Sequence, residues 1–219
     1  MKKIVSIEYA IENIKDGMTI MIGGFLGCGT PEKFIDEIIK RDIQNLTIIA
    51  NDTSFIDKGI GRLIANKQVK KVITSHIGTN PETGKQMHSK DLEVNLVPQG
   101  TLVEQIRCGG MGLGGFLTPT GIGTMVEEGK EKMKIDGKEY ILEKPIRADI
   151  TLILGNRVDK KGNVTYRKSA RNFNPIMAMA ADKVIVLAEN LLEIGEIEPE
   201  DVITPSIFID YIVKEKQNV

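Results

Sequence analysis

The residues best suited to chemistry start in the stretch Asp16-Gly17-Met18-Thr19-Ile20-Met21-Ile22-Gly23-Gly24-Phe25-Leu26-Gly27-Cys28-Gly29-Thr30-Pro31. It joins a turn signal, an apolar run, a glycine-rich loop and a helix start, which is the layout of a ligand-binding βα loop. The glycines free the backbone for φ > 0 and for close approach to a ligand. Thr30 fits the N-cap of the next helix and Pro31 its first position, so free N–H groups and a partial positive charge would face back into the loop. That arrangement suits a phosphate, a carboxylate or a developing oxyanion. A tight structural turn is the plainer use of the same residues. Cys28 is either a nucleophilic thiol beside that helix terminus or a small apolar filler.

Two polar pairs follow strand-like runs: Asn51-Asp52 and Gln99-Gly100. Amides just past strand ends fall at the same sheet edge as the Gly23 loop, where they could orient a carboxylate or stabilise an oxyanion. Turn capping is the alternative. A second glycine cluster, Gly109-Gly110-Met111-Gly112-Leu113-Gly114-Gly115-Phe116, formally contains G-x-G-x-x-G. It leaves a helix and runs toward Pro119, whereas the dinucleotide fingerprint leaves a strand and opens a helix, so a nicotinamide or flavin site is set aside. The cluster either packs close to another backbone or lines a channel for a long thin ligand. No P-loop motif is present, and the two histidines, His76 and His88, share one polar loop, Ser75 to Asp91, without zinc-like spacing.

These residues need a frame to hold them. Strand-like runs cover Met18–Ile22, Leu46–Ala50, Val69–Thr74, Val94–Pro98, Ile150–Leu154 and Lys183–Ala188. Most are continuously apolar, the mark of parallel strands buried on both faces. Helical patterns between them cover Ser6–Lys15, Pro31–Arg41, Gly59–Asn66, Leu102–Cys108 and Pro175–Ala180. The alternation predicts an α/β fold with an open, mostly parallel sheet and helices on both faces, whose ligands bind outside the carboxyl ends of the strands. Glu131 to Glu143 reads instead as a β-hairpin turning at Asp136-Gly137, with Met133 opposite Tyr140, inserted at the edge of a single domain, residues 1–219.

Composition narrows the function classes. The 219 residues are 41% hydrophobic with net charge −1, so neither nucleic acid nor an anionic membrane is an expected partner. Aromatics make up 5% and Trp is absent, which removes stacking platforms for single-stranded nucleic acid. No run nears the roughly 18 apolar residues of a membrane span, and Met1 to Asn13 lacks a signal-peptide core. With two cysteines, Cys28 and Cys108, far apart in the chain, reduced thiols and a cytoplasmic location are expected.

The stretch from Asp16-Gly17 through Gly23-Gly24-Phe25 to Gly27, Gly29 and Pro31 resembles the α-subunit signature of family I coenzyme A transferases, the 3-oxoacid type. Val97-Pro98-Gln99-Gly100-Thr101-Leu102 and Gly109 to Phe116 running into Thr118-Pro119-Thr120-Gly121 agree with it in the same order. Ser75-His76-Ile77-Gly78-Thr79-Asn80 and Ser169-Ala170-Arg171-Asn172-Phe173-Asn174-Pro175 are similar to bacterial short-chain acetate or butyrate:acetoacetate enzymes of this type. The resemblance covers essentially the whole chain.

It implies a fold shared with sugar-phosphate isomerases and a ping-pong transfer of coenzyme A from an acyl-CoA to a free short-chain carboxylate. The nucleophile in this family is a glutamate of the β half, in a Ser-Glu-Asn-Gly motif. Here the nearest string is Ala188-Glu189-Asn190-Leu191, which lacks both Ser and Gly, so Glu189 is not assigned. The resemblance therefore implies an α subunit, inactive alone, in a heterotetramer or larger assembly with a β subunit. No metal and no permanently bound cofactor is expected; coenzyme A is substrate. Carried over, Gly23, Gly24, Phe25, Leu26, Gly27, Cys28 and Gly29 form the CoA signature loop. Gln99 matches the family glutamine whose amide lies near the acyl group, Asn51 the asparagine at a neighbouring strand end, and Gly114, Gly115 and Phe116 a wall beside the thioester. A sugar-phosphate isomerase and a non-catalytic CoA-binding paralogue are the alternatives.

Overall fold

A computed structural model describes residues 3–215 of the chain. In order, its elements are β1 (Lys3–Val5), α1 (Ile7–Ile11), β2 (Thr19–Ile22), α2 (Glu32–Lys40), β3 (Leu46–Ile49), α3 (Ile60–Ala65), β4 (Val69–Thr74), α4 (Pro81–Ser89) and β5 (Glu93–Leu96). Then follow α5 (Gln99–Met111), β6 (Phe116–Thr118), β7 (Lys132–Ile135), β8 (Lys138–Glu143), β9 (Ala148–Asp159), β10 (Val164–Thr165), α6 (Asn174–Met177), β11 (Ala181–Leu192) and β12 (Tyr211–Lys214).

The main sheet runs β1-β12-β11-β9-β2-β3-β4-β5, all parallel, with β10 added antiparallel to β9. Side-chain alternation sends residues of one strand into two cores. Ile20, Ile22, Leu46 and Ile48 pack with Phe34, Ile35 and Ile38 of α2 and Leu63 and Ile64 of α3. Met21 and Ile49 point the other way, against Leu102 and Ile106 of α5 and Met177 of α6. Burial on both faces is why these strands read as unbroken apolar runs.

The chain winds outward from β2 to β5, then crosses back to β9 on the other side of β2. The β2/β9 boundary is the topological switch, and the Gly23 loop leaves β2 there.

The structure corrects several expected elements. Helix α1 stops at Ile11 rather than Lys15, because the Asn13 side-chain amide donates to the carbonyls of Tyr9 and Ala10 and closes the helix. Residues 81–89 of the expected polar loop are helix α4: Asn80 caps it by accepting from the Glu82 N–H, and Pro81 occupies its first turn. Its buried residues, Thr83 and Gln86, are polar, so no apolar period announced it. Helix α5 starts at Gln99 and absorbs Gly109, Gly110 and Met111. Strands β9 and β11 extend past the expected runs and pair with each other from Ala148/Ala181 to Asp159/Leu192.

The hairpin forms as expected, with φ of 49° at Asp136 and 80° at Gly137 and Met133 paired with Tyr140. It does not lie on the edge of the main sheet. It joins β6 in a separate antiparallel sheet, β6-β8-β7, where buried Glu143 accepts from the Gln105 amide of α5 at 2.9 Å and from Lys130 at 2.6 Å. A Cβ at Gly109 would strike the Ile146 carbonyl and one at Gly115 the Glu143 carbonyl, so at these positions the second glycine cluster packs against backbone.

Candidate functional site

The Gly23 loop folds as a miniature hairpin. Phe25 and Cys28 exchange backbone hydrogen bonds of 3.0 and 2.8 Å, and Leu26-Gly27 makes the turn with φ of 49° and 82°. Two positive φ values define a type I′ turn, which explains the glycine at its second position. Asp52, at the end of β3, accepts from the Leu26 N–H at 3.1 and 3.2 Å and from the Ser54 N–H at 2.7 Å.

The opposite side is pinned by two asparagines from the segment before and into α6. Asn172 Oδ1 accepts from the Gly24 N–H at 3.2 Å while its Nδ2 donates to the Cys28 carbonyl at 2.9 Å. Asn174, fully buried, accepts from the Leu154 N–H at 3.1 Å and donates to the carbonyls of Gly29 and Ala170 at 3.0 and 2.8 Å. Gly29, at φ 78°, lets the loop approach this segment: a Cβ there would lie 2.8 Å from the Ala170 Cα.

The loop is therefore a stiff wall, not the open anion cradle that its glycines suggested. Its Gly24, Phe25, Leu26 and Cys28 N–H groups already meet protein acceptors. The expected N-cap moves too. Thr30 turns inward beside Gly24, Pro31 takes the cap position without a side-chain bond, and Glu32 accepts from the Gly59 N–H at 2.8 Å. Cys28 is exposed and its Sγ shares a 3.1 Å hydrogen bond with Ser169 Oγ.

The expected amides do meet. Gln99, first residue of α5, donates from Nε2 to Asn51 Oδ1 at 2.7 Å, and Asn51 donates from Nδ2 to Asp52 Oδ2 at 3.2 Å. This relay has a fixed polarity. An ionised Asp52 accepts only, so Asn51 must turn its NH2 to Asp52 and its oxygen to Gln99. The Gln99 NH2 is thereby oriented, with one N–H on Asn51 and one left over. Burial pushes the Asp52 carboxyl above its ordinary range, against the pull of the Leu26 and Ser54 N–H groups and of nearby His76.

Two joined cavities open around this relay, sharing Phe25, Asn51 and Gln99 as walls. The larger, about 640 Å³, adds apolar Val103, Phe173, Ile176, Met179 and Phe208 together with Arg107 and Arg171. The smaller, about 370 Å³, adds Leu26, Asp52, Ser75 and His76. Among the described residues no carboxylate lines the larger cavity.

The structure thus brings Phe25, Leu26, Asn51 and Gln99 together at the cavities. Gly23, Gly24, Gly27, Cys28 and Gly29 frame the loop behind them. Gly114, Gly115 and Phe116 lie past the far end of α5, whose 13 residues span roughly 20 Å, and line neither cavity. Glu189 lies within β11, not after it, and accepts from Asn156 at 2.8 Å. In the sequence Asp52 stands out only within the polar pair Asn51-Asp52, and the signal for Asn172 and Asn174 as pins of the loop is the short run of asparagines before Pro175. Among the described residues no His/Cys/Asp/Glu cluster could hold a metal ion, and no helix is long and apolar enough to cross a membrane.

A parallel α/β sheet with a glycine hairpin at its switch point and an amide relay, Gln99 to Asn51, past the ends of β5 and β3 defines the chain as an α/β protein. Its family follows from sequence. Residues 4–215 match the family described as Coenzyme A transferase, and the chain belongs to it. It is 54% identical over 216 residues to the acetate CoA-transferase subunit alpha of Escherichia coli K12, covering 99% of this chain and 98% of that protein. It is 57% identical over 213 residues to the acetoacetyl-CoA:acetate/butyrate CoA transferase alpha subunit of Clostridium acetobutylicum, covering 97% and 98%. Its fold superposes on an acyl-CoA transferase of Escherichia coli O157:H7, solved as a thioester complex with CoA, with a TM-score of 0.85 at 22% identity. That match covers 98% of this chain and 50% of the other, so this chain spans half of that protein's length. The protein is accordingly an enzyme of the CoA-transferase class.

Proposed function

We propose that this chain is the α subunit of a cytoplasmic heteromer that moves coenzyme A between a short-chain acyl-CoA (acetoacetyl-, butyryl- or acetyl-CoA) and a free acid such as acetate. The observation that carries the reading is the larger cavity. It presents an oriented amide, Gln99, and apolar walls, yet among the described residues no carboxylate lines it. A nucleophile supplied by another chain fits that lining, and the subunit names of the two relatives support it. The free thiols of Cys28 and Cys108 fit a reducing compartment.

In this reading a glutamate of the β subunit attacks the thioester carbonyl, and the C–S bond breaks to give an acyl-glutamyl anhydride and CoA thiolate. The thiolate then attacks the glutamyl carbonyl, releasing the first acid and leaving a glutamyl-CoA thioester for the second acid to open. Each addition places negative charge on a carbonyl oxygen, and the remaining Gln99 N–H is a donor held ready for it. Gly23 to Gly29 serve as the wall that shapes the approach of the thioester. Gly114, Gly115 and Phe116 belong to this site only if the β subunit brings their segment to it.

Transfer from acetoacetyl-CoA to acetate should appear only when the chain is mixed with its glutamate-bearing partner. Borohydride should then trap a reducible thioester on the partner. A trapped thioester on this chain alone would overturn the subunit assignment, and sugar-phosphate isomerase activity of the isolated chain would overturn the transferase reading.

A further inference from the structure

Along α5, Gln99, Val103 and Arg107 recur every four residues, so they share one face of the helix, and all three line the larger cavity. Met111 is next in that series and is 54% exposed; Leu113, just past the Gly112 cap, is 53% exposed. The other face of α5, with Leu102, Ile106 and Cys108, is buried. The exposed strip is nearly neutral, because its charged members Arg107 and Glu104 pair with each other at 3.1 Å. Half-buried Phe116 and Leu117 carry the apolar surface onward into β6. A run of apolar side chains standing in water beside a cavity marks a contact site for another molecule.

Gly114 is a second, independent sign. Its φ lies outside the left-handed region, and a Cβ built on it would meet no atom within 4 Å. Neither backbone conformation nor crowding inside this chain calls for a glycine there, in contrast to Gly112 at φ 68° and to Gly110, whose Cβ would lie 2.8 Å from that of Met179. A glycine that its own chain does not need suits a backbone approaching from outside. We propose that the strip from Arg107 through Met111 and Leu113 to Gly114 is the docking surface for the partner subunit that bears the nucleophile. The occupant follows from continuity: the strip begins in the wall of the cavity that the partner's carboxylate enters, and Val103 to Met111 extends it roughly 12 Å along the same helix face. The partner face it fits is apolar, uncharged and shaped to lie against bare backbone at Gly114. The identity of the partner rests on the transferase reading; the strip itself stands on its exposure and on Gly114.

The test mixes the full chain with its glutamate-bearing partner and follows the complex by sedimentation, beside a thermal melt of each variant chain. Met111→Lys/Leu113→Lys should weaken the complex about thirtyfold or more, the loss that marks central interface side chains. Gly114→Gln should weaken it about tenfold while the chain alone melts as wild type does, since nothing in the chain opposes the new side chain. If the double variant melts early, Gly114→Gln decides. Ile4→Lys, at a similarly exposed site on β1 at the opposite edge of the sheet from β5, should leave the complex unchanged. Wild-type affinity in Gly114→Gln, or an equal loss in Ile4→Lys, would overturn the proposal. So would a wild-type chain that self-associates and becomes monomeric in the double variant with the heteromer intact, since the occupant would then be a second copy. If the variants dissociate the complex but the wild-type complex transfers no CoA, the docking surface is supported and the transferase reading fails.

Discussion

Gln99 offers the sharpest test of the relay. In Gln99→Ala the spare N–H is lost, and removal of one donor to a developing oxyanion lowers turnover by about 10²–10³, or about 2.7–4 kcal/mol. Stability should hardly move, because Gln99 is exposed at the start of α5 and gives up a single hydrogen bond to Asn51. That bond is worth about 0.5–1.5 kcal/mol, and Tm falls by roughly 2–4 °C per kcal/mol in a chain of this size. Gln99→Glu is nearly isosteric yet should be worse than alanine. Asp52 holds Asn51 with its oxygen toward position 99, so a carboxylate there meets an acceptor 2.7 Å away that cannot turn to donate. A further loss of about tenfold is expected, corresponding to about 1.4 kcal/mol of acceptor–acceptor conflict. The assay is acetoacetyl-CoA:acetate transfer by the α/β complex, run beside a thermal melt. Wild-type turnover in Gln99→Ala, or a glutamate variant more active than the alanine variant, would refute the relay.

Asn174→Ala removes the partner of the Leu154 N–H, of the buried Gly29 carbonyl and of the half-buried Ala170 carbonyl, a buried group costing about 1–3 kcal/mol when left unmade. Tm should drop by roughly 6 °C or more, and a melt within about 2 °C of wild type would show that the loop does not depend on this contact. Asp52 predicts a pH trend: its folded pKa lies above the unfolded one, so its stabilising contribution is full at low pH and is lost as pH rises through the folded value. The stability of wild type minus that of Asp52→Asn, from urea unfolding, should therefore decline as pH rises above about 4, the ordinary carboxylate range; a difference that grows with pH would contradict a desolvated carboxylate.

The apolar runs of β2 and β3 reflect burial on both sheet faces, whereas β4 carries Lys70 and Lys71 between its buried residues. The Asp136-Gly137 turn needs nothing beyond its own two positive φ values. Helix α4 escaped because its inward residues are Thr83 and Gln86 rather than an apolar stripe, the Gln86 amide donating to the Ile64 carbonyl and to Glu82. Short β12 and β1 escaped because three or four residues pairing with each other across the chain leave no period to detect.

The sequence by itself determined an α/β sheet, the family, and the amides Asn51 and Gln99 at strand ends, because strand periodicity and motif spacing are properties of neighbouring residues. Only the tertiary structure decided that the Gly23 loop is a rigid wall. The groups that make it rigid, Asn172 and Asn174, bond to it across sequence separations of 148 and 145 residues. It also decided that Asp52 sets the direction of the Gln99 amide and that one face of α5 runs from the larger cavity to exposed Met111. Hydrogen-bond polarity and the exposure of a helix face depend on which groups end up facing one another, and for these residues that is fixed by the winding of the sheet about β2 and β9.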